Sequence, residues 1–358
     1  MSQRVTIIAE AGVNHNGSLA RALELTDAAA AAGADMVKFQ TFKADKLASS
    51  RAAKAAYQQR NAPGQPTQLE MLRALELSAE DHEAIIARCK LRHITFLSTP
   101  FDPDSLDLLA VRFGLPTIKL GSGELTNGPL LLQAARTGRK LILSTGMGDL
   151  AEVEDALAVL AFGFAGQGAP SRAAFATVFA SAEGQLALRE KVTLLHCTTE
   201  YPTPLADINL TAMDTLQHRF GLTVGFSDHS EGITAAIAAA ARGAAVIEKH
   251  FTLDRTLPGP DHKASIEPDA LKAMVDGIRA VELALGDGIK QARPSEAANK
   301  SVARKVIVAA RALSAGETVT PGDVSILRAG AGLSPMAYWD VVGRPVARSY
   351  TAGEPFDP

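Results

Sequence analysis

Eight short β-rich apolar runs, separated by stretches of helical periodicity, constrain this chain more than any other feature. They occupy residues 5–11, 35–41, 93–99, 117–122, 140–145, 192–198, 222–228 and 244–251. Strands that alternate with helices pack as parallel βα units, and eight of these close into a barrel. A doubly wound open sheet is the competing architecture. It usually has fewer strands and a Gly-rich phosphate turn after the first, where this chain reads AEAGVNHNG.

The ends of the runs decide between the two. Most are apolar at the start and finish in residues that can do chemistry: Glu10, Lys38 with Gln40, Ser98 with Thr99, Lys119 with Ser122, Ser144 with Thr145, Thr198 with Thr199, Ser227 with His229, and Glu248 with His250. A barrel gathers such ends on one face, which is where barrel enzymes place their active sites. Lys38 and Gln40, Ser227 and His229, and Glu248 and His250 are each two apart, so each pair shares a strand face and points inward together. The expected fold is an α/β (β/α)8 TIM barrel over residues 1–288.

Other signals fill in the surroundings. The long segment 42–77 carries Lys43, Lys46, Arg51, Lys54 and Arg60 and suggests a lid or extra helices beside the mouth. Residues 163–191 read as an insertion between strands five and six. Ser78 followed by Asp81 resembles a capping box with a shorter acid. An amphipathic helix over 268–285 would complete the barrel, a linker is expected over 289–300, and a small β-rich module over 301–358, where turns such as SAGE and TPGD recur. The balance of 36 Lys and Arg against 39 Asp and Glu argues against nucleic acid or an anionic membrane as partner. Two cysteines, Cys89 and Cys197, imply no disulfide framework, and no signal-peptide-like start or long apolar run occurs, so a cytoplasmic location is expected.

Two residue types stand out at the run ends. His229 and His250 close neighbouring runs beside acidic residues; two neutral imidazoles there could hold a divalent metal, or could be hydrogen-bonded structural groups like His82 and His218 in the helical stretches. Lys38 and Lys119 lie inside apolar strands, where an unpaired charge costs several kcal/mol, so they require an anion or an acid partner.

The segments IIAEAGVNHNG, VKFQTFK, FLSTPFD, IKLGSGELTN, ILSTGM, LLHCTTEYPTP, GFSDHS and EKHFTLDRTLPGPDHKAS, in this order, resemble the bacterial sialic acid synthase family, which includes N-acetylneuraminate and legionaminate synthases. VIVAARALSAGETVTPGDVSILRAGAGLSP resembles the antifreeze-like (SAF) domain that ends them. The resemblance implies a barrel with that cap in a domain-swapped homodimer. It implies condensation of phosphoenolpyruvate with an open-chain N-acetylated amino sugar and water, giving a nine-carbon keto acid and phosphate by C–O cleavage. It assigns His229 and His250 to a divalent metal, manganese foremost, with magnesium or cobalt as alternatives. Glu124, Lys119 and Glu10 are the implied catalytic residues, although Glu124 could instead tie down a loop N–H. Lys119, Ser122, Ser144 and Ser227 would hold phosphoenolpyruvate, with Lys38 and Gln40 on the neighbouring side of the mouth. Thr99, Thr199, Tyr201, Glu248 and Asp261 would complete the mouth, Tyr201 and Asp261 facing the sugar, and Arg328 would reach the sugar site of the partner subunit.

Two departures bear on the sugar. Thr199 and Glu200 stand where an Asn and an apolar residue precede the Tyr in N-acetylneuraminate synthases, and shorter members lack the 163–191 segment. N-acetylmannosamine is the first expectation and 2,4-diacetamido-2,4,6-trideoxymannose, leading to N,N'-diacetyllegionaminate, the alternative. A barrel that makes heptulosonate or octulosonate phosphates would need a further basic site for its sugar phosphate. A non-catalytic sugar-binding protein would not need two strand-end histidines, two buried lysines and an acid.

Overall fold

The computed structural model describes residues 4–54, 59 and 67–358. Eight parallel strands form one sheet: β1 (Thr6–Gly12), β2 (Met36–Thr41), β3 (Thr95–Pro100), β4 (Thr117–Leu120), β5 (Lys140–Ser144), β6 (Val192–His196), β7 (Thr223–Asp228) and β8 (Val246–His250). Their order, β3-β2-β1-β8-β7-β6-β5-β4, is that of a barrel whose hydrogen bonding is open only between β3 and β4 among the described residues. Those two strands still pack side by side, so the barrel is nearly closed.

Strand parity separates a structural floor from a chemical mouth. Ile8, Leu97, Ile142, Leu195 and Val246 form their own buried cluster, with Met36 packed against it. Two residues further along the same strand faces come Glu10, Thr99, Ser144, Cys197, Glu248 and Lys38. The apolar set fills the barrel interior, and the next inward position on each strand lies at the mouth. The opposite parity, including Ile7, Val37, Leu143 and Ile247, packs against the surrounding helices in the main core.

Local signals place these elements. Ser78 Oγ accepts from Asp81 N at 3.0 Å while Asp81 Oδ2 accepts from Ser78 N at 2.9 Å, so the capping box forms and starts the helix Ala79–Leu91. The segment after β2 folds into helices Ala44–Leu47 and Gln68–Arg73, with a satellite core of Val13, Phe42, Ala44, Ala48, Met71, Leu72 and Leu75. Arg60 lies outside the described residues. The boundaries of the expected 163–191 insertion change. The helix Leu150–Ala165 runs past Gly163, and the helix Ala182–Lys191 buries Leu188 in the main core and leads straight into β6. Between them lies the helix Arg172–Phe179, whose Phe175 ring meets Phe162 at 5.2 Å.

The chain divides between Asp287 and Gly288 into two compact units. The helix Pro268–Leu285 belongs to the first. A short exposed helix, Ala297–Ala303, occupies part of the stretch expected as a bare linker. In the second unit β9 (Val306–Ala309) pairs antiparallel with β10 (Val324–Leu327) over a core that includes Ile307, Leu313, Val319, Tyr350 and Phe356. Among the described residues no helix is long and apolar enough to cross a membrane.

Between β7 and β8, Lys249 Nζ donates to Asp228 Oδ2 at 2.9 Å and to the Ser230 carbonyl at 2.6 Å, with both side chains fully buried. Removing one partner strands the other charge. Lys249→Met should therefore lower the unfolding free energy by about 3 kcal/mol, read by urea denaturation, and adding Asp228→Asn should recover part of that loss.

Candidate active site

Fourteen of the side chains singled out from the sequence line one cavity of about 310 Å³ at the carboxyl ends of the strands: Glu10, Lys38, Gln40, Thr99, Lys119, Ser122, Ser144, Thr199, Tyr201, Ser227, His229, Glu248, His250 and Asp261. Glu248 is the hub. Its Oε2 lies 3.7 Å from Lys38 Nζ, its Oε1 lies 3.7 Å from Lys119 Nζ, and Ser227 Oγ donates to Oε1 at 2.9 Å. Lys38 also meets Glu10 Oε2 at 2.8 Å and donates to Thr99 Oγ1 at 3.2 Å. Lys119 donates to Ser144 Oγ at 2.6 Å and to the Leu120 carbonyl at 3.1 Å. Each buried lysine thus has the acid partner that its strand position demanded.

Burial and charge push the two carboxyl groups apart. Burial raises Glu248, but Lys119 and Lys38 outweigh it and hold the group down at about 2. Burial likewise raises Glu10, and here it prevails over Lys38, leaving the carboxyl at about 7. The chain bulges between Glu10 and Gly12, where Gly12 has φ +53° and a Cβ would stand 3.2 Å from Glu10 Oε1. Gln40 Nε2 donates to that same oxygen at 3.3 Å. Burial lowers Lys119 against the pull of Glu248, whereas the two carboxylates overcome burial at Lys38 and raise it.

The histidines stand on the β8 side of this cluster with ring centroids 5.5 Å apart. His229 Nδ1 lies 2.6 Å from the Thr198 carbonyl, which can only accept, so Nδ1 carries the proton and Nε2 presents a lone pair. Tyr201 OH, 3.3 Å away, donates to that Nε2. Burial lowers His229 to about 4, and burial with the neighbouring His229 lowers His250 well below the usual imidazole range, so both rings are neutral at pH 7. His250 Nδ1 is buried without a hydrogen-bond partner among the described residues, 3.9 Å from Asp261 Oδ2. Burial raises Asp261 to about 6 despite Lys38. At the β4 and β5 ends, Ser122 Oγ accepts from Gly146 N at 3.0 Å, and the buried Thr199 Oγ1 has no hydrogen-bond partner.

One expected residue lies off the cavity. Glu124, in the short 3-10 turn Ser122–Glu124, accepts from Asn127 Nδ2 at 2.6 Å, does not line the cavity, and is raised by burial against that hydrogen bond. Arg328 is exposed just beyond β10 in the second unit. Among the described residues the basic groups after β2 take no part in the lining either: Lys43 pairs with Glu76 at 3.6 Å and Lys46 with Asp104. The same segment instead supplies an apolar wall of Leu47, Met71, Leu72 and Leu75, joined by Val13 and Phe101. Its sequence signal was the apolar periodicity of QLEMLRALEL, beside the more conspicuous charges.

Comparison with known proteins agrees with this geometry. The NeuB family model matches residues 25–290 and the SAF domain model residues 304–358. An N,N'-diacetyllegionaminic acid synthase of Campylobacter jejuni is 45% identical over 98% of both chains, and one of Legionella pneumophila is 44% identical over 97% of this chain and 92% of that one. A crystal structure of an N-acetylneuraminic acid synthetase from Leptospira borgpetersenii, solved with citrate, superposes with a TM-score of 0.68 at 31% identity, covering 83% of this chain and 90% of that one. A barrel mouth built from buried lysines, carboxylates and histidines, matched along nearly its whole length by such relatives, places the chain in the NeuB family, with a SAF domain at its C-terminal end.

Proposed function

We propose that this enzyme is a nonulosonic acid synthase that condenses phosphoenolpyruvate with 2,4-diacetamido-2,4,6-trideoxymannose to give N,N'-diacetyllegionaminate and phosphate. The convergence of Lys38, Lys119, Glu248 and the paired histidines in one cavity carries the reaction class. The two relatives above 40% identity support the diacetamido sugar over N-acetylmannosamine, the first expectation from sequence.

Lys119, Ser144 and Ser227 present a cation and hydroxyls to an anionic substrate, and the buried setting strengthens each contact. Glu248, held ionised, fixes the two ammonium groups in place. In the reaction C3 of phosphoenolpyruvate bonds to the aldehyde carbon, whose oxygen takes a proton. Water adds at C2 and gives up a proton, and the resulting C2 hydroxyl loses its second proton to become the ketone as phosphate leaves with the bridging oxygen. Glu10 is matched to this proton traffic, because its carboxyl titrates near neutrality and lines the cavity. Glu124, turned onto Asn127, acts by tying down its turn.

The imidazoles of His229 and His250 fit a divalent cation, since both are neutral and a buried ring nitrogen of His250 lacks a partner. Among the described residues no third His, Cys, Asp or Glu joins them, which leaves positions open to water and substrate oxygens. A bound manganese ion, with magnesium or cobalt as alternatives, would polarise the aldehyde oxygen toward attack. We propose further that the enzyme works as a domain-swapped homodimer in which Arg328 serves the site of a second copy.

Phosphate release from phosphoenolpyruvate should be faster with the diacetamido sugar than with N-acetylmannosamine, should stop with a chelator, and should return with manganese. Full activity in chelator would remove the metal from the mechanism. Glu10→Gln should lower kcat about 100-fold or more, while Glu124→Gln should change it far less. Linkage gives a second readout. Folded Glu10 keeps its proton to about pH 7, whereas the unfolded group loses it near 4.5. The folded state therefore binds more protons in that window, and wild-type stability relative to Glu10→Gln should fall as pH rises from 4.5 to 7. Urea midpoints at the two ends of the window measure this. Mixing inactive Arg328→Ala and His250→Ala chains should restore activity, because one site of a swapped heterodimer carries neither lesion. Silence after demonstrated subunit exchange would refute the swap.

A further inference from the structure

The cavity has two unlike sides, and the reaction chemistry uses only one. Lysines, carboxylates, serines and histidines make the side rooted in the strand ends. The side rooted in the segment after β2 is Leu47, Met71, Leu72 and Leu75, with Gln68 as the polar residue among them. Phosphoenolpyruvate has no use for this wall, because laying a phosphate or carboxylate against apolar carbon forfeits its hydration without return. The wall therefore meets the sugar. The aldehyde end has to lie at the lysines and histidines, so the end that reaches the wall is the remote one, at C4 to C6.

That end is where the competing sugars differ. N-acetylmannosamine carries hydroxyls at C4 and C6, whereas the diacetamido sugar carries an N-acetyl group at C4 and a methyl at C6. Hydroxyls pressed against leucine and methionine lose water and gain no partner, but methyl groups gain by the same contact. We infer that Leu47, Met71, Leu72 and Leu75 form the surface that selects a 6-deoxy, 4-N-acetylated sugar, with the Gln68 carboxamide placed to bond the amide. This rests on the substrate reading above and extends it to named residues.

The wall is held in shape before any sugar arrives. Thr67 caps the helix Gln68–Arg73 by accepting from Glu70 N at 3.2 Å, Ala44 N donates to Glu76 Oε1 at 2.6 Å, and Lys43 N donates to Asp102 Oδ2 at 2.9 Å. The β1 loop presses on it so closely that a Cβ at Gly17, φ +71°, would stand 2.5 Å from the Ala74 carbonyl. A surface fixed by bonds within its own segment and by two neighbouring ones spends little binding energy on ordering, which favours discrimination.

The test is the ratio of kcat/KM for the diacetamido sugar to that for N-acetylmannosamine, with saturating phosphoenolpyruvate and manganese. Met71→Gln and Leu47→Asn should each lower the ratio about tenfold, the order of magnitude for a lost methyl contact, with KM for phosphoenolpyruvate little changed. Met71 is buried in the satellite core, where a polar variant costs stability; Leu47 is only half-buried, so its variant decides the matter if Met71→Gln melts early. An unchanged ratio in folded variants of an enzyme that prefers the diacetamido sugar would overturn the wall alone. A wild-type enzyme that prefers N-acetylmannosamine would overturn the substrate reading, and the wall with it.

Discussion

A single carboxylate shared by two buried ammonium groups organises the mouth of this barrel. Glu248 sits 3.7 Å from both Lys38 and Lys119 and takes a third contact from Ser227. Without it Lys119 would lose its acid partner and Lys38 would keep Glu10 alone, leaving two neighbouring buried cations with too little counter-charge to hold both. With it, one net positive charge remains for the anions that enter, and Glu10 is left as the carboxyl whose burial outweighs its partner's pull. The division of labour between two acids on neighbouring strands comes from how many lysines each one reaches. The acids themselves are chemically alike.

That arrangement depends on register, which is secured on the far side of the same strands. Asp228 and Lys249 alternate in sequence with Ser227, His229, Glu248 and His250, and so point the other way. Their ion pair ties the carboxyl end of β7 to that of β8 on the outside of the barrel. A one-residue slip would exchange the two sets, burying a second charged layer against the helices and emptying the mouth.

Much of this was legible in the sequence because a parallel barrel writes its inside in alternation. Apolar residues at Ile8, Leu97, Ile142 and Val246, each followed two places on by Glu10, Thr99, Ser144 or Glu248, give strand, face and mouth together. What escaped lies outside that code. Glu124 follows its strand, where a short turn decides the direction of the side chain, and an Asn three residues on captures it. The apolar wall comes from a loop whose charges drew attention, although Lys43 and Lys46 pair with Glu76 and Asp104 away from the cavity. The 163–191 segment, expected as an insertion, begins inside a helix that runs on to Ala165. A helix interior tolerates glycine where a neighbour approaches closely, and here the Ala135 methyl lies only 2.4 Å from where a Cβ would stand.

The apolar floor beneath the mouth has a kinetic meaning. Ile8, Leu97, Ile142, Leu195 and Val246 fill the barrel beneath the mouth, so a molecule reaches the lysines from the side of the strands' carboxyl ends. A ligand held on Lys38 and Lys119 therefore lies deeper than one held at the rim, and the deeper place is the harder one to reach once the rim is filled.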